Sequence, residues 1–147
     1  MYILYRATKF NFCIKTLFTL YVRYIRTSLE YGVPVWHSGL TVKETQLLER
    51  VQKRCFRVIL GRAYNGYDNA LQRLGTTTLE KRRTKLCYNF ARNVLKSQRH
   101  RSLLPPSFQH DHNTRGRNKL LPSVLCRTVR YYKSSVPYLV RLINGEN

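Results

Sequence analysis

Acidic residues are scarce in this 147-residue chain: seven Asp and Glu stand against 27 Lys and Arg, a formal charge of +20 at neutral pH. No acid precedes Glu30, none falls between Glu80 and Asp111, and none between Asp111 and Glu146, so most cations are expected to lack an internal partner. The two aspartates, Asp68 and Asp111, fall in a turn and in a polar loop. Metal-dependent polymerases, nucleases and phosphatases need carboxylates converging on Mg²⁺, and this scarcity argues against such a site. There is no Gly-rich loop followed by Lys-Ser or Lys-Thr and no nucleophile elbow, so neither phosphate-loop nor serine-hydrolase chemistry is expected. The chain reads as a non-enzyme with no small-molecule substrate and no cofactor.

Long uncharged runs are missing as well. Arg6, Lys9, Lys15, Arg23 and Arg26 interrupt the apolar amino-terminal stretch, well short of the roughly 18 uncharged residues that a membrane span requires. No small-residue cleavage site follows a compact apolar core. A soluble, intracellular chain is expected, nuclear or cytoplasmic, with no membrane partner. Paired cysteines are absent too: Cys13, Cys55, Cys87 and Cys126 are far apart and fall mostly on apolar faces, which predicts reduced core thiols rather than disulfides or zinc ligands. His110 and His112 have no cysteine pair nearby, and no metal site is expected.

What the chain has is helical periodicity and arginine. Hydrophobic residues make up 43%, enough for one small core. From Asn11 to about Tyr31, Cys13, Ile14, Leu17, Phe18, Leu20, Tyr21, Tyr24, Ile25 and Leu29 follow a helical period, predicting a mostly buried helix that Gly32 and Pro34 end. VPVWHSGL reads as an irregular connection with Trp36 on the core. Thr41 to Glu44 has the pattern of a capping box, starting a second helix near Val42 that Gly61 ends. A short helix over 69–74 is expected next, then a second capping box from Thr77 to Glu80 and a third long helix to about Gln98. Its buried side is read as Leu79, Leu86, Cys87, Phe90, Ala91 and Val94, with Arg83 out of place on that side, paired with Glu80 or snorkelling to the rim. Leu104-Pro-Pro and the polar run from Gln109 to Asn118 read as a loop or linker, 114–135 as extended or irregular, and Ser135-Val-Pro137 opens a short last helix. The expected fold is mainly α: a small bundle of three longer amphipathic helices, a basic irregular carboxyl-terminal arm and a short last helix.

The cations are patterned. In the second helix Leu47, Leu48, Val51, Cys55, Val58 and Ile59 share one side, whereas Lys43, Arg50, Lys53, Arg54 and Arg57 occupy a separate arc. In the third, Lys81, Arg82, Lys85, Arg92 and Lys96 lie opposite the apolar side. The arm adds Arg115, Arg117, Arg127 and Arg130 among aromatic residues that include Tyr131 and Tyr132. Arg outnumbers Lys two to one, and the guanidinium fork suits phosphate oxygens. One basic face is usually a solvated face; the same asymmetry on several helices, without an acidic counterweight, predicts RNA or DNA as partner. The candidate binding residues are Arg50, Lys53, Arg54, Arg57, Arg82, Lys85, Arg92, Lys96, Arg115, Arg117, Arg127 and Arg130.

The segments LFTLYVRYIRTSLEYGVPVW, LTVKETQLLERVQKRCFRVILG and LGTTTLEKRRTKL, in this order, resemble the region after the polymerase core in reverse transcriptases of non-LTR retrotransposons, the LINE or jockey-like group. NTRGRNKLLPSVLCRTVRYYKSSVPYLVRLIN is similar to the tail of such polyproteins, so the resemblance runs from about Lys9 onward. It implies a thumb-like helical domain over residues 1–101, a linker over 102–118 and a basic extension over 119–147. In the family this region grips template and primer, which would turn Arg50, Lys53, Arg54 and Arg57 toward nucleic acid. The palm carboxylates and the endonuclease of the family have no counterpart in these residues, so the resemblance implies the ancestry without the polymerase activity. The alternative reading is a protein-interaction or degenerate fragment whose apolar faces once docked on a palm and now favour self-association.

Overall fold

The computed structural model describes residues 2–107 and 119–145, and every described element is helical. The helices are α1 (Tyr2–Lys9), α2 (Ile14–Leu20), α3 (Thr27–Glu30), α4 (Val33–Trp36), α5 (Val42–Leu60), α6 (Tyr67–Arg73), α7 (Leu79–Lys96), α8 (Val129–Tyr132) and α9 (Ser135–Asn144). The mainly α expectation holds, with no strand among the described residues. No described helix is long and apolar enough to cross a membrane. The chain forms two compact units, residues 1–31 with 41–82 and residues 32–40 with 83–147, so the division passes through α7. These units do not coincide with the divisions at 101 and 118 expected from sequence.

In the first unit, α1, a helix not expected from the sequence, places Leu4 and Ala7 against α5. Asn11, at φ 53, turns the chain toward α2; Asn is among the residues that best tolerate this left-handed conformation. A π-helical stretch, Tyr21–Arg26, joins α2 to α3. This run is less buried than expected: Leu17 and Tyr21 are buried, but Ile14 is 44% and Tyr24 59% exposed. Its apolar arc is wider than its neighbours in this unit cover. The Phe56 ring anchors the core among Phe18, Tyr21 and Tyr67, with the Tyr21 ring edge-on at 5.4 Å.

The second unit is built around Val33, Cys87, Ala91, Val94, Leu104, Leu121, Leu139, Val140 and Leu142. The segment expected to be a separate extension therefore supplies part of this core. The Asn144 side chain pins it, accepting from the Leu120 and Leu121 amides at 3.1 Å each and donating to the Leu121 carbonyl at 2.9 Å. Gly32, in the left-handed region at φ 63, precedes α4, where Trp36 packs on this core as expected. Phe90 departs from its expected buried side and is 42% exposed. The α7 cap also lies one residue later than read, with Thr78 Oγ1 accepting from the Lys81 amide at 3.3 Å.

Arg83, expected either to pair with Glu80 or to snorkel to the rim, is fully buried. Its Nε donates to His37 Nδ1 at 3.4 Å, while Thr84 Oγ1 lies 3.5 Å from His37 Nε2 and the Tyr138 ring meets the imidazole edge-on. Burial, and then the Arg83 charge, push His37 below its ordinary value of 6.5. The unfolded chain thus takes up this proton at a higher pH than the folded one. The contribution of His37 to stability is complete above pH 6.5 and declines as pH falls through that value toward the lowered one. His37→Gln is expected to flatten the fall in melting temperature between about pH 7.5 and 5.5. Identical slopes for the two proteins would exclude this origin.

The four cysteines are free, but not all are core thiols. Cys55 and Cys87 are buried, and burial pushes both up to about 11. Cys13 is exposed, and its hydrogen bond with Thr16 holds the thiol below its ordinary value. Alkylation at about pH 8 is expected to label Cys13 first and to reach Cys55 and Cys87 only on unfolding, as read by peptide mass mapping. Labelling of all three at equal rates would contradict this burial pattern.

Candidate nucleic-acid interface

The interface begins with the way α5 starts and stops. Thr41 Oγ1 accepts from the Glu44 amide at 3.3 Å, and the Glu44 carboxylate accepts from the Thr41 amide at 2.7 Å. Both halves of the predicted capping box are therefore formed. At the other end Gly61, at φ 50, takes a conformation that side chains rarely adopt and closes the helix. Between these limits Arg50, Lys53, Arg54 and Arg57 follow the i, i+3, i+4, i+7 spacing that aligns side chains along one face. Val51, Cys55, Val58 and Ile59 turn toward the core and Leu48 is half-buried, whereas Leu47, expected on the packed side, is 55% exposed.

The four cations line one groove, with a volume of about 710 Å³. Its other wall comes from α1, through Tyr5 and Thr8, and Val58 and Gly61 complete the lining. Arg50, Arg54 and Arg57 are exposed, and Lys53 is half-buried. Two of the cations rest on rings: Lys53 Nζ lies 4.8 Å from the Tyr67 centroid, and Arg57 Cζ lies 5.5 Å from that of Tyr64. Such contacts restrain long side chains while leaving their charge intact.

Among the described residues, no acid lines this groove. Glu44 is engaged in the cap, where its bonds to Thr41 hold the carboxyl below the usual carboxylate range. Glu49 accepts from the Tyr67 hydroxyl and, at 3.2 Å, from the Leu79 amide. The acidic side chains of α5 thus serve the fold. The tyrosine that receives Lys53 is itself held by Glu49 and by Gln52, whose Nε2 donates to the Tyr67 oxygen at 2.9 Å.

The remaining candidate residues separate. Arg82 is committed to Glu30, with Nε 2.5 Å from one carboxylate oxygen and Nη2 3.0 Å from the other. This pair raises the Arg82 guanidinium above its ordinary value and keeps it out of the groove lining. Lys85, Arg92 and Lys96 are exposed on the part of α7 that belongs to the second unit, with Arg92 Cζ 5.7 Å from the Tyr88 ring. Arg127 and Arg130 are exposed, and Arg130 joins Lys133 beside a cleft of about 340 Å³. Arg115 and Arg117 lie outside the described residues, as do His110, His112 and Asp111.

Sequence reasoning missed Tyr5 and Thr8, because the interrupted pattern of residues 2–9 was read only against a membrane span. The pair Leu4 and Ala7, three residues apart, was the available signal for α1. It also missed the inward turn of Gln52, which no periodicity reports. Compared with known proteins, the chain matches no family model, no curated protein and no solved structure.

Proposed function

We propose that this chain binds nucleic acid through backbone phosphates, with little base preference, and that it descends from the thumb region of a non-LTR reverse transcriptase without acting as a polymerase. The observation that supports binding is the groove in which Arg50, Lys53, Arg54 and Arg57 converge with no acid among the described residues that line it. The sequence resemblance alone supports the ancestry. Lys85, Arg92 and Lys96 offer a second cationic face on α7, and Arg127 and Arg130 add exposed charge. The free cysteines favour a reducing, intracellular setting.

Phosphate binding of this kind releases counterions, so log affinity falls linearly with log salt. If four phosphates occupy the groove, its share of the slope is about −2.8 for a single strand and about −3.6 for a duplex. Fluorescence anisotropy with single-stranded RNA, duplex DNA and an RNA–DNA hybrid, across a salt series, is expected to give slopes at least this steep. Absence of binding to all three at about 50 mM salt would refute the reading.

A second reading, self-association, is favoured by the large exposed side chains near the amino terminus, where Tyr2, Phe10 and Phe12 are 73%, 68% and 49% exposed. Sedimentation velocity at several concentrations separates the two, since binding through the groove needs no oligomer.

A further inference from the structure

The groove has two chemically different walls. Along α5 run four cations, and from Arg50 to Arg57 the helix rises roughly 10 Å. On the α1 side stands Tyr5, 45% exposed where it lines the groove. The Thr8 hydroxyl, one turn further along α1, donates to the Tyr5 carbonyl at 2.8 Å, and Leu4 and Ala7 bury the opposite side of the helix. Tyr5 thus projects from a helix whose other side is anchored by Leu4 and Ala7.

A duplex hides its bases in pairs and would present only phosphate and sugar to such a groove, leaving the aromatic wall idle. A single strand presents phosphates along one edge and free base faces beside them, the two features that cationic grooves with aromatic platforms engage. Resting on the proposed function, we propose that the groove between α1 and α5 is a single-strand site: the phosphates follow Arg50, Lys53, Arg54 and Arg57, and one base stacks on Tyr5. Because every base has a π-face, the site takes single-stranded RNA or DNA without reading sequence.

The test compares oligo(rU), oligo(dT) and a duplex of equal length on wild-type protein, Tyr5→Leu, Tyr5→Phe and Tyr5→Trp. Tyr5→Leu is expected to weaken single-strand binding about 10-fold and to leave duplex binding unchanged. Tyr5→Phe is expected to keep wild-type affinity, and Tyr5→Trp to add to the Trp36 emission a second component that the single strand quenches, whereas the wild-type emission from Trp36 alone stays unchanged. Equal weakening of single-strand and duplex binding by Tyr5→Leu would overturn the proposal, as would tight binding that none of the Tyr5 variants alters. Those results leave the proposed function standing, whereas failure of wild-type protein to bind any nucleic acid removes both.

Discussion

Arg50→Glu with Arg54→Glu is expected to weaken nucleic-acid binding by about 100-fold or more at low salt while helix content by circular dichroism stays unchanged. Both side chains are exposed in the groove, so the change removes no core contact. Each lost charge-assisted contact is worth about 1.5–3 kcal/mol, and two together exceed a factor of 100. The salt slope should flatten by about 1.4 for a single strand, since two phosphates are no longer neutralised. Arg82→Gln is the control. Its guanidinium belongs to Glu30, so its loss is expected to lower stability by about 1 kcal/mol and to leave affinity unchanged. If the two groove reversals unfold the protein, or if Arg82→Gln weakens binding as much as they do, the groove assignment fails.

Gln52→Leu is expected to destabilise the first unit by about 2–5 kcal/mol. Gln52 is 1% exposed; its Oε1 accepts from the Tyr21 hydroxyl at 2.7 Å, and its Nε2 donates to the Thr77 carbonyl at 3.1 Å as well as to Tyr67. Leucine is similar in size, yet it leaves the buried Tyr21 hydroxyl without its partner, at about 1–3 kcal/mol, and removes the bonds to the Thr77 carbonyl and to Tyr67, at about 0.5–1.5 kcal/mol each. Adding Tyr21→Phe should restore part of the loss, because the stranded donor is then removed as well. Urea unfolding measures both. A shift below about 1 kcal/mol for Gln52→Leu would mean that the network contributes little. Because Tyr67 carries Lys53 on its ring, the same substitution should also loosen one cation of the groove.

Much of α5 was legible in advance because its determinants are local. A Thr and a Glu three residues apart close a box within one turn, a glycine ends the helix where φ must be positive, and cations three and four residues apart share a face whatever surrounds them. The same logic failed at Arg82 and Arg83, adjacent cations on α7. One is taken by Glu30, 52 positions away, and the other is buried beside His37, 46 positions away. Helical periodicity says which side of a helix a residue occupies, not which distant side chain waits there.

By itself the sequence determined that the chain is helical, that it carries a large unbalanced positive charge, and that four of its cations form a stripe on one helix. All three follow from composition and from chemistry within a turn or two. Only the tertiary structure decided that α1 lies beside that stripe and makes it a groove with Tyr5 on its far wall. The tertiary structure also drew Gln52 inward and made residues 119–145 part of a core pinned by Asn144. These depend on apolar surfaces and hydrogen-bond partners brought together across long stretches of chain, which no local pattern records.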